Sequence, residues 1–200
     1  MKKRSLTIAV LGPDGSGKST LIDEITCANL PFEEKYYFHL KPIYSKEANN
    51  ENQRVDNPHF YPLYSPLKSY LKLIYFLYQY NTGYRKNIVK LISRSSIIIF
   101  DRYYDDILAD QKRYRYGGSI MIAKWIKRYI PKLDLYIILY AKPDVIFKRK
   151  KEVQYNELKR QLASYESLAD GKKYFLVNAA KDPKEIAAEV IELIKYKMNE

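Results

Sequence analysis

Residues 6–19 read LTIAVLGPDGSGKS and give the strongest fold signal in the sequence. Its first six residues are mostly apolar and include β-branched side chains, which predicts a buried strand. The next eight match the pattern G-x-x-x-x-G-K-[ST], in which backbone N–H groups turn toward phosphate oxygens at the start of a helix. We therefore predict a phosphate-binding loop between a first strand and a first helix.

The loop also predicts how a nucleoside triphosphate is held. Lys18 is expected to reach the β- and γ-phosphates, and the Ser19 hydroxyl is expected to hold Mg²⁺. Several classes of nucleotide-binding protein share this loop, so it indicates the donor and not the reaction. The predicted nucleotide-binding residues are Gly12, Asp14, Gly15, Ser16, Gly17, Lys18, Ser19 and Thr20.

Length and composition indicate one globular domain. The 200 residues are 46% hydrophobic and 29% charged, which excludes a disordered or fibrous chain. The longest apolar runs are half or less of the roughly 20 residues that cross a bilayer, so we expect no membrane span. Cys27 is the single cysteine and cannot form an internal disulfide, which favours a reducing cytoplasm.

The net charge of +12 has two interpretations. It fits a nucleic-acid surface, but a basic cleft for a small phosphate-bearing ligand explains it equally well. Because part of the lysine content goes with an AT-rich codon composition, we take a nucleic-acid partner as the less favoured interpretation.

Short apolar runs alternate with longer amphipathic segments along the chain, which predicts an α/β fold with a parallel sheet. The predicted strands are residues 6–11, 36–40, 96–100, 135–140 and 174–177. The predicted helices are residues 18–29, a segment from 66 that continues to about 91, and 119–129, 143–151, 156–168 and 183–198. Residues 43–66 form the longest irregular connection.

Asp101 and Arg102 follow the third predicted strand. Ligands of open α/β sheets bind at this carboxyl edge, so Asp101 is expected near the Mg²⁺ and Arg102 is expected to face a second anion. A structural ion pair that closes the end of the sheet is the alternative.

Two motifs resemble those of thymidylate kinases: the loop at residues 12–20, with its Asp-Gly pair, and DRYYDDILADQ at residues 101–111. Weaker similarity extends through residues 143–149, 160–165 and 177–179. Residues 110–118 are also similar to a divergent thymidylate kinase-like subgroup found in bacterial surface-polysaccharide gene clusters.

The resemblance implies a P-loop nucleoside monophosphate kinase that forms one domain over residues 1–200, with a five-stranded parallel sheet in the order 2-3-1-4-5. It also implies a mobile lid at about residues 149–160. In that arrangement Asp14 lies near the acceptor sugar, Arg102 near the acceptor phosphate and Arg149 near the ATP.

The departures from the family concern the acceptor. The family's Arg-Glu-Pro after the second strand is LKP here, at residues 40–42, and Asp106 and Asp110 stand where the family has Ser and Tyr. We expect these carboxylates to add negative charge to the acceptor pocket and to disfavour thymidylate. Arg113 and Arg115 form either a solvated basic face or a cover over an anionic acceptor.

Other features have plainer interpretations. The basic residues at 148–151 and 159–160, Arg160 included, are either a solvated face or part of the lid. The aromatic stripe at residues 70–80 is expected to pack in the core or between two copies of a homodimer. No role is assigned to His39 or His59.

Together these observations predict a phosphotransferase that uses ATP and Mg²⁺ and acts on a nucleoside monophosphate or a related small anionic acceptor. The alternatives are a kinase of a sugar or sugar phosphate, and a regulatory module that binds a nucleotide without transfer. The predicted catalytic residues are Lys18, Asp101, Arg102 and Arg149, and the predicted metal ligands are Ser19 and Asp101.

Overall fold

Five parallel strands form one sheet in the order β2-β3-β1-β4-β5 in the computed structural model, which describes residues 5–43, 59 and 61–200. The predicted α/β fold class and strand order are therefore confirmed. The strands are β1 Ser5–Leu11, β2 Glu34–His39, β3 Ser96–Asp101, β4 Leu135–Tyr140 and β5 Tyr174–Asn178.

The central strand β1 is buried on both faces, because helices cover both sides of a parallel sheet. Successive side chains of a strand point to opposite faces. Residues 6, 8 and 10 therefore pack in a core with Ile25 and Val190, whereas residues 9 and 11 pack in a second core with Phe76 and Ile126. This burial explains why the first strand reads as a nearly continuous apolar run.

The second strand lies slightly earlier than predicted. It begins at Glu34 and ends at His39, and Leu40 follows with a φ of 61°. A left-handed φ is uncommon for leucine and takes the chain out of the extended conformation. The prediction that the strand extends to residue 40 is therefore wrong.

The helices match the amphipathic segments with small shifts at their ends. Pro66 and Pro183 both occupy the first turn of their helices, where a missing N–H has no cost. The first helix ends at Cys27, two residues before the predicted end. The helices are α1 Lys18–Cys27, α2 Pro66–Gly83, α3 Val89–Ile92, α4 Asp105–Ala109, α5 Ile120–Lys127, α6 Pro143–Arg149, α7 Tyr155–Glu166 and α8 Pro183–Asn199.

A π-helical turn, Tyr84–Ile88, joins α2 to α3. The prediction that the helix from residue 66 continues to about residue 91 is thus confirmed, although the continuation is not a regular α-helix. The short helix α4 was not predicted, because five residues are too few to show a helical period.

Most of the predicted irregular connection, residues 44–58 and 60, lies outside the described residues. The end of the connection contacts the segment after α4, since the Tyr64 backbone N donates to the Arg115 carbonyl at 2.8 Å. Among the described helices, none combines the length and the apolar character that crossing a membrane requires.

Gly83, the last residue of α2, lies against the loop that follows β2. An added Cβ would lie 2.6 Å from the Pro42 carbonyl oxygen. Alanine ordinarily stabilises a helical position by roughly 0.5–1 kcal/mol relative to glycine. Here we expect Gly83→Ala to lower the free energy of unfolding by about 1–3 kcal/mol, because the loop must shift. Urea unfolding measures the difference.

The control is Lys90→Ala, an exposed position of the same helical run, which should change the free energy of unfolding by less than about 0.5 kcal/mol. A Gly83→Ala chain that is more stable than the wild type would contradict the prediction.

Candidate active site

The phosphate-binding loop lies at the carboxyl edge of the sheet, between β1 and α1. Its first residue, Gly12, has a φ of 143°, and an added Cβ would lie 2.9 Å from the Leu139 carbonyl oxygen of β4. Both the backbone angle and the contact with β4 therefore require glycine. The loop is packed against the sheet at its start and opens into a cavity at its end.

Lys18 begins α1 and is buried beneath the loop. Its Nζ donates to the carbonyl oxygens of Gly12 at 2.9 Å and of Pro13 at 2.8 Å. Burial and the nearby charge of Arg102 lower the pKa of the Lys18 ammonium to about 7. A phosphate beside Nζ would raise that pKa again, because an opposite charge favours the charged form.

A cavity of about 590 Å³ opens above the loop. It brings together nearly all of the predicted site residues, and Gly12, packed below, is the exception. Its lining is Asp14, Gly15, Ser16, Gly17, Lys18, Ser19, Thr20, Leu21, His39, Asp101, Arg102, Arg113, Leu139, Arg149, Lys150, Ala179, Lys181, Pro183 and Ile186.

Asp101, the last residue of β3, has a carboxylate that suits a metal ion. Burial raises its pKa, but the contact with His39 and the charges of Lys18 and Arg102 outweigh burial and leave the pKa below its usual value. Its Oδ2 lies 3.5 Å from His39 Nδ1. Its Oδ1 is buried without a hydrogen-bond partner among the described residues.

The donor set around Asp101 fits Mg²⁺, which binds a few protein oxygens and completes its octahedral shell with phosphates and water. Ser19 offers a hydroxyl on the same cavity wall. Within residues 5–43, 59 and 61–200 no cluster of three or more His, Cys, Asp or Glu side chains forms a metal site of its own. The described side chains thus offer partial coordination of a metal ion.

Arg102 is buried at the floor of the cavity, with a φ of 70°. Its guanidinium pairs with Asp106 on one side and with Asp14 of the phosphate loop on the other. Asp106 also accepts hydrogen bonds from the hydroxyls of Tyr165 at 2.8 Å and Tyr114 at 3.3 Å. The ion pair that the sequence allowed as an alternative is present, and Arg102 also lines the cavity.

Asp110 is likewise paired and buried. His59 Nε2 lies 2.9 Å from its Oδ2, and the backbone N of Arg113 donates to its Oδ1 at 3.2 Å. Neither Asp110 nor Asp106 lines the cavity. The expectation that these two carboxylates add negative charge to the acceptor pocket is therefore wrong, because both are buried outside the cavity wall and pair with Arg102, Arg113 and His59.

Arg113, Arg115 and Arg160, for which the sequence left two interpretations open, lie in different places relative to the cavity. Arg113 lines the cavity. Arg115 donates to the Pro62 carbonyl at 2.9 Å and lies 4.2 Å from the Tyr64 ring centre, and Arg160 pairs with Glu157 at 2.7 Å. Neither Arg115 nor Arg160 is part of the cavity wall.

The other end of the cavity lies between α6 and the segment after β5. Arg149, at the end of α6, donates from Nη1 to the Ala179 carbonyl at 2.9 Å. Lys150 and Lys181 line the same end. Lys150 belongs to the basic run 148–151, for which a solvated face and a part of the lid were the two interpretations, whereas sequence reasoning did not single out Lys181 or His39. The available signal was position at the carboxyl edge, since His39 ends β2 and Lys181 lies three residues after β5.

The aromatic stripe of α2 divides between core and surface. Phe76 and Tyr80 are buried, and Tyr75 and Tyr78 are exposed. Lys41, in the segment where the family has Arg-Glu-Pro, places Nζ 4.4 Å from the centre of the Phe76 ring, and burial lowers its pKa. Lys41 therefore faces the aromatic side of α2, and it does not line the cavity.

No family model matches the chain. Two curated proteins are similar to it over 201 residues at 28% identity, which is 94% of this chain. They are "Probable thymidylate kinase 1" of Saccharolobus solfataricus, covered to 96%, and "Probable thymidylate kinase" of Pyrobaculum aerophilum, covered to 95%.

Among solved structures, a thymidylate kinase from Candida albicans has a TM-score of 0.71 at 18% identity, over 98% of this chain and 93% of that one. At that identity the match shows the fold. Relatives along almost the whole sequence, the shared fold and the two motifs agree with one another. The chain is a small-molecule P-loop kinase that is similar to thymidylate kinases over almost its whole length.

Proposed function

We propose that this protein transfers the γ-phosphoryl group of ATP to a nucleoside monophosphate. The observation that carries the proposal is one cavity with two ends that meet at the phosphate loop. Arg149, Lys150 and Ala179 form the end that suits ATP, whereas His39, Asp101 and Arg102 form the end that suits an acceptor. The curated relatives, named as probable thymidylate kinases, make thymidylate the first acceptor to test.

In-line transfer between two bound phosphates requires positioning and charge neutralisation more than covalent chemistry. Lys18 would hold the β- and γ-phosphates, and Arg149 would steady the ATP end. Arg102 would face the acceptor phosphate, with Asp14 beside it. Mg²⁺, held by Ser19 and Asp101, would offset negative charge on the ATP phosphates.

The chain would act as one kinase domain, with residues 149–160 as its lid. That segment contains the end of α6 and the start of α7, and it borders the cavity through Arg149 and Lys150. Closure over bound nucleotide would exclude water, which otherwise competes for the phosphoryl group. Use of ATP and the free Cys27 favour the cytoplasm as the place of action.

The test is an acceptor panel. Purified protein is incubated with ATP, Mg²⁺ and each of several nucleoside monophosphates, sugars and sugar phosphates, and ADP and phosphorylated product are measured. Product from a nucleoside monophosphate supports the proposal. Product only from a sugar or sugar phosphate would replace the acceptor, and ATP binding without product would indicate a regulatory module.

Lys18 provides the sharpest variant. Because the side chain is buried, we choose Lys18→Met, which removes the charge but keeps much of the volume. We expect turnover to fall a hundredfold or more, about 3 kcal/mol of transition-state stabilisation, since the charge that develops on the phosphates loses its partner. Steady-state kinetics of the best acceptor measure the loss.

Exposed Lys90→Ala serves as the control and should retain wild-type turnover. Thermal unfolding of the Lys18→Met chain checks that the fold survives. Near-normal turnover in a folded Lys18→Met chain would contradict the assigned role.

We also propose that two copies associate through the outer face of α2 and α5. The two helices lie side by side, and Asn81 Nδ2 donates to the Tyr129 carbonyl at 3.0 Å. Nine large apolar side chains on this face are 38% to 77% exposed. They are Leu67, Leu71, Ile74, Tyr75, Tyr78, Met121, Ile122, Trp125 and Tyr129.

A second copy fits the extent of this face. At roughly 200 Å² for each fully exposed large side chain, the nine expose on the order of 1,000 Å². That exceeds the largest apolar patch of a typical monomer and matches the about 800 Å² that each partner contributes to a standard interface.

The double variant Leu71→Glu, Trp125→Glu places two charges in this face. We expect it to be monomeric where the wild type is dimeric, because burying unpaired carboxylates is unfavourable. Size-exclusion chromatography with light scattering reads the mass. Tyr196→Glu, on exposed α8, is the control and should leave the mass unchanged. A monomeric wild type would refute the proposed dimer.

A further inference from the structure

Arg113 lies in the loop between α4 and α5, and buried tyrosines fix that loop. Tyr114 and Tyr116 are 7% and 1% exposed, and the Tyr114 ring meets Phe76 edge-on at 6.4 Å. The hydroxyl of Tyr116 donates to the Ser119 carbonyl at 2.8 Å. With its neighbours inserted in the core, the loop holds Arg113 at the cavity while Arg115 turns toward Pro62.

The contacts of Arg113 connect three parts of the site. Its Nη2 pairs with Asp14 of the phosphate loop, and its Nε lies 3.3 Å from Asp110. The same Nη2 is 4.0 Å from Glu152, in the segment after α6. Asp14 therefore carries a guanidinium on each carboxylate oxygen, Arg102 on Oδ1 and Arg113 on Oδ2.

The charge of the cavity wall favours an anion at this place. Among the described residues of the wall, Asp14 and Asp101 are the carboxylates, and six cationic side chains oppose them. Asp106, which pairs with Arg102, and Asp110, which pairs with Arg113, both lie outside the wall. The cationic side chains are Lys18, Arg102, Arg113, Arg149, Lys150 and Lys181.

Residues 40–43, the part directly after β2 that the structure describes, contain no arginine. Lys41 occupies that segment, but its ammonium lies over the rings of Phe76 and Tyr75. Arg113 reaches the cavity from a different loop, beside Arg102. Two guanidiniums that share one carboxylate present their remaining N–H donors in a fixed geometry, which suits bidentate binding of a phosphate.

We infer that Arg113 binds the phosphate of the acceptor together with Arg102, and that Asp14 is the positioning residue that orients both guanidiniums. The inference rests on the proposed function and deepens it, since it names the group that recognises the acceptor phosphate. The incoming phosphate replaces the contacts of Arg113 with Asp110 and Glu152 and leaves Asp14 between the two arginines.

The test uses the full-length chain and four proteins: wild type, Arg113→Ala, Arg113→Lys and the control Arg115→Ala. Arg115 belongs to the same loop but lies outside the cavity wall. KM for the best nucleoside monophosphate of the acceptor panel, KM for ATP and kcat are measured for each protein. Titration calorimetry with that nucleoside monophosphate, its nucleoside and MgADP gives binding without turnover.

We expect Arg113→Ala to raise KM and Kd for the nucleoside monophosphate about tenfold to a hundredfold, the usual effect of losing hydrogen bonds to a charged group. KM for ATP and Kd for MgADP and for the nucleoside should stay within about twofold, because none of them contacts Arg113 through an acceptor phosphate. Arg113→Lys should recover part of the loss, since it restores the charge but not the planar fork. Arg115→Ala should behave as wild type.

Equal weakening of ATP and acceptor in Arg113→Ala, or no weakening of either, would overturn the inference and leave Arg113 as a structural bridge. In both cases a wild type that phosphorylates its acceptor keeps the proposed function intact. A wild type that binds no nucleoside monophosphate overturns the proposed function and the inference together.

Discussion

The guanidinium of Arg102, held between Asp14 and Asp106, is the interaction on which the rest of the site depends. It joins the phosphate loop, the end of β3 and α4 through one buried group, and Tyr165 brings α7 to the same carboxylate. Removing one partner of a buried ion pair costs about 3–5 kcal/mol, because the remaining charge has no water to solvate it. One buried ion-pair network therefore connects the phosphate loop, β3, α4 and α7.

This pairing changes how the acceptor pocket should be understood. Asp106 and Asp110 stand where thymidylate kinases have neutral groups, and on sequence alone they disfavour thymidylate as the acceptor. In the structure Asp106 pairs with Arg102 and Asp110 pairs with Arg113, and the hydroxyls of Tyr114 and Tyr165 complete the shell of Asp106. The two carboxylates thus belong to buried ion pairs beside the cavity. The departure that still concerns the acceptor is the sequence LKP at residues 40–42, where thymidylate kinases have Arg-Glu-Pro.

Sequence reasoning succeeded where the signal is local. The apolar run before Gly12 and the loop pattern around Lys18 were enough to predict β1, α1 and the loop between them, and the resemblance supplied the strand order. It failed where a residue's role depends on distant partners. The pairing of Asp110 with His59 spans 51 positions, and no local sequence pattern predicts the left-handed φ of Leu40.

The π-helical turn Tyr84–Ile88 changes the direction in which the side chains after it point. Each residue of an α-helix advances the side chain by about 100°, so the additional residue of a π turn rotates everything after it by that amount. The rotation brings Ile88 and Leu91 onto the sheet while α2 keeps Phe76 and Tyr80 inward. Deleting one residue there would make the helix more regular but would turn buried apolar side chains such as Leu91 away from the sheet and toward water, so regular helix geometry and burial of the core are opposed at this point.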